Sequence, residues 1–123
     1  MINYSILKKY FTDNGIKTIS YGQDELTVVL GTSKFGKPIL ITYLFGMPNV
    51  ILCKARADME EITLLDRQLV DAANKKFVRD DNASKMIING NILEFDSLLS
   101  TQVSKEDLIK FSLSMMDVIN NFK

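Results

Sequence analysis

The sequence contains no histidine and no tryptophan, and it has one cysteine, Cys53. The absence of histidine removes the side chain that most often serves as a general base and as a zinc ligand. A single cysteine cannot form a disulfide or a thiolate cluster within the chain, which favours a reducing compartment. We therefore interpret Cys53, which lies in an apolar alternating segment, as a buried structural residue, and we expect a cytoplasmic protein.

The chain also lacks an excess of either charge and any long apolar run. Lysine and arginine together number 15, as do aspartate and glutamate, so no surplus of positive charge favours nucleic acid or anionic lipid. The longest apolar stretches are interrupted by Thr42, Gly46 and Pro48 and are shorter than a membrane span. Residues 1–10 lack the basic and apolar regions of a secretory signal. We expect neither a nucleic-acid partner nor a membrane partner.

One segment resembles a phosphate-binding loop without completing it. Residues 31–37 (GTSKFGK) match the first seven positions of the P-loop motif. That motif requires a serine or threonine next, followed by a helix whose N-terminus faces the phosphates. Here Pro38 takes the place of the hydroxyl residue, and a strand pattern follows. We interpret the segment as the loop of a β-hairpin.

Carboxylates are the remaining candidates for catalysis, as an acid–base pair or a magnesium site. The acidic run after residue 79 lacks the spacing of a calcium loop and is typical of a solvated turn. A carboxylate-dependent enzyme is the alternative that this composition leaves open. We predict no enzymatic activity, no catalytic residue, no metal and no cofactor. The carboxylates considered are Glu60, Glu61, Asp66, Asp80, Asp81, Glu94 and Asp96.

The period of the apolar residues changes along the chain and predicts the fold. A helical pattern opens the chain, four strand patterns follow, and a second helical pattern begins near Thr63. A hairpin at Asn89-Gly90 and a helix after Ser104 complete the order. The sequence therefore predicts one α+β domain over residues 1–123, ordered α-β-β-β-β-α-β-β-α, with three helices packed on a mainly antiparallel sheet. The predicted strands are 16–21, 26–30, 39–45, 50–57, 86–88 and 92–95.

Two further predictions concern burial. In the middle helix, Leu65 and Leu69 are expected to lie on the buried stripe. In the central strands both faces are apolar, whereas a sheet with one solvated face alternates more cleanly. The second face should therefore be covered by a helix, by a second copy of the chain, or by another protein. The residues predicted to bind a partner there are Val29, Leu40, Leu44, Val50 and Leu52.

The second half of the chain carries features that occur together in one known group. The middle helix contains Leu64-Leu65, Leu69-Val70, Ala73-Asn74 and Phe77, a hairpin spans residues 86–95, and residues 104–108 open the last helix. This layout resembles the type III secretion chaperones and their YbjN-type relatives. The resemblance implies no catalytic residues, and it implies a non-enzymatic dimer that binds a segment of another protein or regulates by contact.

The functional prediction is therefore a protein-binding module. We expect it to be chaperone-like or regulatory and to act through apolar sheet and helix surface, with a homodimer as one possible form. The alternative is a small inhibitor or immunity-type protein, related to phages or toxins, that blocks a partner protein.

Overall fold

The computed structural model describes residues 1–122, and of Tyr21 it describes the backbone. Within these residues three helices and six strands follow the predicted order α-β-β-β-β-α-β-β-α, which confirms the α+β fold. The helices are α1 (Tyr4–Asp13), α2 (Leu64–Arg79) and α3 (Lys105–Asn120). The strands are β1 (Thr18–Tyr21), β2 (Glu25–Thr32), β3 (Pro38–Leu44), β4 (Val50–Asp58), β5 (Ser84–Asn89) and β6 (Ile92–Ser100).

The strands form one antiparallel sheet in the order β1-β2-β3-β4-β6-β5. The first four strands are neighbours in sequence and in space. After β4, helix α2 leads to β5, which forms the edge of the sheet. The chain then returns as β6, which lies between β4 and β5. Tight turns rely on residues that tolerate positive φ, such as Asn49 (φ 64°) and Gly90 (φ 61°). The sheet is therefore a meander extended by one hairpin.

Local hydrogen bonds set where the two longer helices begin. The Thr63 hydroxyl accepts from the Asp66 amide at 3.2 Å, and the Asp66 carboxylate accepts from the Thr63 amide at 2.8 Å. This is a reciprocal capping box with aspartate at its third position. The Ser104 hydroxyl accepts from the Asp107 amide at 3.1 Å and starts α3 in the same way.

The three helices within residues 1–122 pack on the same face of the sheet. The Phe11 ring of α1 lies 5.9 Å from the Tyr43 ring, centroid to centroid, and the Tyr43 hydroxyl lies 2.7 Å from the Ser112 hydroxyl of α3. On α2, Phe77 meets Phe95 edge-on at 5.6 Å. Since Tyr43, Cys53 and Phe95 share one face of the paired strands, the core lies entirely on that side. Cys53 is fully buried there, as predicted.

The buried stripe of α2 differs from the prediction by one position. Leu65 is 62% exposed and Leu69 is also exposed, whereas Asp66 and Val70 are buried. The rotation of α2 is set by Asn74, whose side chain donates to the Met86 carbonyl at 2.9 Å and accepts from the Met86 amide at 2.7 Å. This pair of bonds attaches α2 to the β5 edge and leaves the leucine side of the helix in solvent.

Strand β6 is longer than the hairpin signal indicated. The pattern predicted an end at residue 95, but β6 pairs with β4 along its whole length, from Ile92 opposite Asp58 to Ser100 opposite Val50. The polar residue Ser97 hides this continuation in the sequence. In the fold Ser97 is buried and its hydroxyl lies 2.8 Å from that of Ser84 on β5, so it fits the core face.

We predict that Asn74→Ala lowers the free energy of unfolding by about 2 kcal/mol, because two backbone groups of Met86 lose their partners under α2. Urea denaturation followed by circular dichroism measures the change. Asp71→Ala, an exposed position on the same helix, is the matched control. Equal stability of the two variants would contradict the assigned role of Asn74.

Candidate functional site

The face of the sheet opposite the helices, here called the open face, is the candidate site. No helix of residues 1–122 lies against it. Its members are the alternate residues of each strand, aligned by the cross-strand register. All five residues predicted to bind a partner lie there, with Val29 opposite Leu40 and Leu44 opposite Leu52. Val29 is 45% exposed, and the other four, including Val50, are partly exposed.

Sequence reasoning missed further apolar residues on the open face. Leu98 is 45% exposed and pairs with Leu52, and Ile92 and Ile19 are also exposed. Ile87 of β5 joins them beside Glu94. Leu98 was missed because β6 was predicted to end before it. The signal that points to it is its spacing from Glu94 and Asp96, because alternate residues share one face once the strand continues past residue 95.

The centre of the open face is charged, which corrects the expectation of two apolar faces. Lys54 and Arg56 project from β4, and Glu94 and Asp96 project from β6. The Lys54 ammonium lies 3.7 Å from the Glu94 carboxylate and 3.9 Å from the Asp96 carboxylate. The Arg56 guanidinium donates to the Thr42 hydroxyl at 3.3 Å. The open face is therefore a charged centre with apolar residues at both ends of the strands.

Burial of the Asp96 carboxyl is the main influence on the electrostatics of this centre, and the neighbouring Glu94 adds to it. Burial raises the pKa of Asp96 to about 6, and hydrogen bonding and charge repulsion from Glu94 add to it, while Lys54 and Arg56 act in the opposite direction. Two polar atoms, Asp96 Oδ1 and Arg56 Nε, are enclosed without a hydrogen-bond partner among the described residues. The centre therefore has hydrogen-bonding capacity that the single chain does not use.

Two shallow depressions lie on the open face on either side of the charged centre. One of about 330 Å³ is lined by Leu40, Arg56 and Ile92 among others. The second, of about 280 Å³, includes Leu52, Asp96 and Leu98. Both are open to solvent, and apolar side chains form part of the lining of each. Their shape suits side chains of another macromolecule better than an enclosed small ligand.

The edges of the sheet are less suited to binding than its open face. At β5, both hydrogen-bonding groups of Met86 are occupied by the Asn74 side chain. At the other edge, β1 has four residues. Short or covered edges of this kind limit the pairing of an added strand.

The other sequence candidates lie apart from the open face or serve the fold. Residues 33–37 form the β2–β3 hairpin loop, in which the Ser33 backbone amide donates to the Lys37 carbonyl at 2.7 Å. Burial raises the pKa of the Cys53 thiol to about 12, so it is protonated at neutral pH. Asp66 caps α2, and Asp80 ends it. Of the candidate carboxylates, Glu94 and Asp96 are brought together; within residues 1–122 no three metal-ligating side chains of the His, Cys, Asp or Glu type form a cluster.

Comparison with known proteins gives no relative from which a function could be carried over: no family model, curated protein or solved structure matches the chain. The helices of residues 1–122 include none with the length and apolar character needed to cross a membrane.

We predict that Asp96→Asn raises the free energy of unfolding at pH 7 by about 1 kcal/mol. Because the folded pKa lies above the ordinary carboxyl value of 3.8, ionisation of Asp96 costs stability as pH rises from about 4 through about 6. The variant removes that cost, and partial exposure of the carboxyl keeps the gain modest. The gain should vanish near pH 4.

Urea denaturation at pH 4 and pH 7 checks this, at concentrations over which the midpoint does not change with dilution. Asp71→Asn removes the same charge from an exposed position on α2 and is the control. A gain from Asp96→Asn that is the same at both pH values would contradict the prediction.

Proposed function

We propose that this chain is a protein-binding module that acts through the open face of its sheet. The observation that carries the proposal is one-sided packing: the described helices share one face, and the other presents partly exposed apolar residues around a charged centre. Exposed apolar residues grouped on one face are typical of protein interaction sites, and here they flank the charged centre on both sides. Val29 and Leu98 are the most exposed of these apolar residues.

We propose a non-enzymatic role in the chaperone-like or regulatory class. The layout resemblance to type III secretion chaperones supports it, as does the chemistry available: the thiol is buried and protonated, and the paired carboxylates lie on an open surface. The single buried cysteine also supports a cytoplasmic location. A small inhibitor would use the same face against a folded partner, so the state of the bound partner separates the two roles.

Site-specific photo-crosslinking in the native cell tests the proposal. A photoreactive phenylalanine analogue replaces Val29 on the open face or, as the control, Val78 on the outer side of α2, which is 82% exposed. We expect covalent adducts with another protein from position 29 and none from position 78. Because Val78 is the more exposed of the two, adducts that reflect accessibility alone would favour the control.

The adducts also distinguish the two roles. Crosslinks to an unstructured segment support a chaperone-like function, and crosslinks to the surface of a folded enzyme or toxin support an inhibitor. Absence of adducts from position 29, or equal yields from the two positions, would contradict binding of another protein through the open face.

A further inference from the structure

The register of β4 and β6 gives the open face a specific charge pattern. Lys54 stands directly opposite Asp96, and Arg56 stands directly opposite Glu94. Each strand thus contributes charge of one sign, basic on β4 and acidic on β6, at the same two levels along the strands. A surface with this arrangement is complementary to itself under one particular symmetry operation.

We propose that the open face binds the open face of a second copy of this chain, about a two-fold axis parallel to the strands and between β4 and β6. The proposal rests on the proposed function, since it uses the same open face, and it adds a second copy of the chain to the proteins bound there. Rotation about this axis places β4 of one copy over β6 of the other. Each residue keeps its position along the strand direction. Lys54 then faces Asp96 of the second copy, and Arg56 faces Glu94 of the second copy. Symmetry doubles both contacts.

The same charges disfavour a face-to-face dimer about a two-fold axis perpendicular to the strands. A two-fold axis perpendicular to the strands, centred on the charged residues, places β4 on β4 and reverses the level along the strand. Lys54 then faces Arg56 of the second copy, and Asp96 faces Glu94. Like charges held together at the centre of an interface are strongly unfavourable. The charge pattern therefore selects one orientation of the two.

The apolar residues of the open face are also matched by the parallel axis. Leu52 faces Leu98 of the second copy, because these two are a cross-strand pair within one chain. One strand farther out, β3 lies over β5, so that Leu40 faces Ile87, which sits at the level of Glu94 and Arg56. Leucine and isoleucine contacts thus flank the charged centre, as in aligned packing of two sheets.

The area available is sufficient for a specific but weak dimer. Four strands of each copy overlap, about 19 Å across and about 26 Å along the strands, so both copies together bury about 1,000 Å². Strand β2 lies beyond the edge of the overlap, and Val29 stays free for another protein. Self-association therefore covers the β3 and β4 parts of the open face and leaves the β2 part, with Val29, for another protein.

The second copy also supplies an additional cation to the charged centre. The carboxylates of Glu94 and Asp96 repel each other, and Lys54 and Arg56 on β4 and Lys85 on β5 are the cations that face them within one chain. Lys54 of the second copy adds a cation against Asp96 and favours its ionised form. Association should therefore strengthen as pH rises through about 6.

A charge-exchange experiment tests the orientation. Analytical ultracentrifugation measures association at up to about 100 μM chain, since interfaces of this size belong to the weaker class. We expect the original chain to dimerise, and Lys54→Glu and Asp96→Lys each to weaken self-association at least about 100-fold. An equimolar mixture of the two variants should dimerise again. In a mixed dimer, position 54 of each chain faces a residue of opposite charge at position 96 of the other chain. A monomeric original chain, or a mixture that stays monomeric when both variants are folded, would overturn the proposal.

A second pair of variants keeps the test decisive if a charge reversal disturbs folding. Leu98→Lys should abolish the dimer without changing the unfolding midpoint of the single chain, since Leu98 is exposed. Leu113→Lys on α3, where the leucine is 46% exposed on the helical side, should leave the dimer intact. Equal dimerisation by these two variants would overturn the proposal.

The outcome is separable from that of the proposed function. A monomeric chain that still forms adducts with another protein from position 29 would overturn the second-copy inference alone. Loss of those adducts with dimerisation intact would instead contradict the wider binding role.

Discussion

The two-residue alternation of β4 and β6 is the constraint on which the rest of the structure depends. Because successive side chains of a strand point to opposite faces, the placement of Cys53, Ala55 and Phe95 in the core forces their neighbours outward. Those neighbours are Lys54, Arg56, Glu94 and Asp96. A shift of register by one residue would turn these four charges toward the helices and the core. The core and the charged centre of the open face are thus two results of one alignment.

The sequence predicts much of this fold because its signals are local. The order of helices and strands follows from apolar periodicity, and the turns follow from residues such as Asn89 and Gly90 that tolerate positive φ. The five predicted contact residues lie together because period and register are enough to place them on one face. These predictions need no information about how distant segments meet.

The rotation of α2, the end of β6 and the charged centre depend on tertiary contacts, which the pattern of apolar residues does not reveal. The rotation of α2 is decided by Asn74 and the backbone of Met86, so Leu65 and Leu69 face solvent despite their helical spacing. The end of β6 is decided by pairing with β4, and Ser97 on the core face makes that stretch read as polar. The charged centre needs the β4–β6 register, which follows from α2 carrying β5 to the edge. In each case long-range pairing overrode the local signal.

Covering a charged centre with another surface costs free energy, because charged groups lose their contact with water. An apolar centre would bind more strongly for its area, whereas removing charged groups from water costs free energy that ion pairs only partly return. What the charges contribute is selectivity, since they fix the orientation and sign pattern of any surface that fits against them. The open face is therefore better suited to reversible, selective contact than to permanent association.

The bonds between Asn74 and the Met86 backbone have a consequence for assembly. A six-stranded sheet with a free edge can recruit strands from neighbouring molecules and grow without limit. Here an amide side chain occupies the position that a seventh strand would take, and it ends the ladder from within the same chain. Pairing of an added strand at the β5 edge is thereby hindered, while the open face stays accessible. The proposed pairing of two open faces would likewise close at two copies rather than extend into fibres.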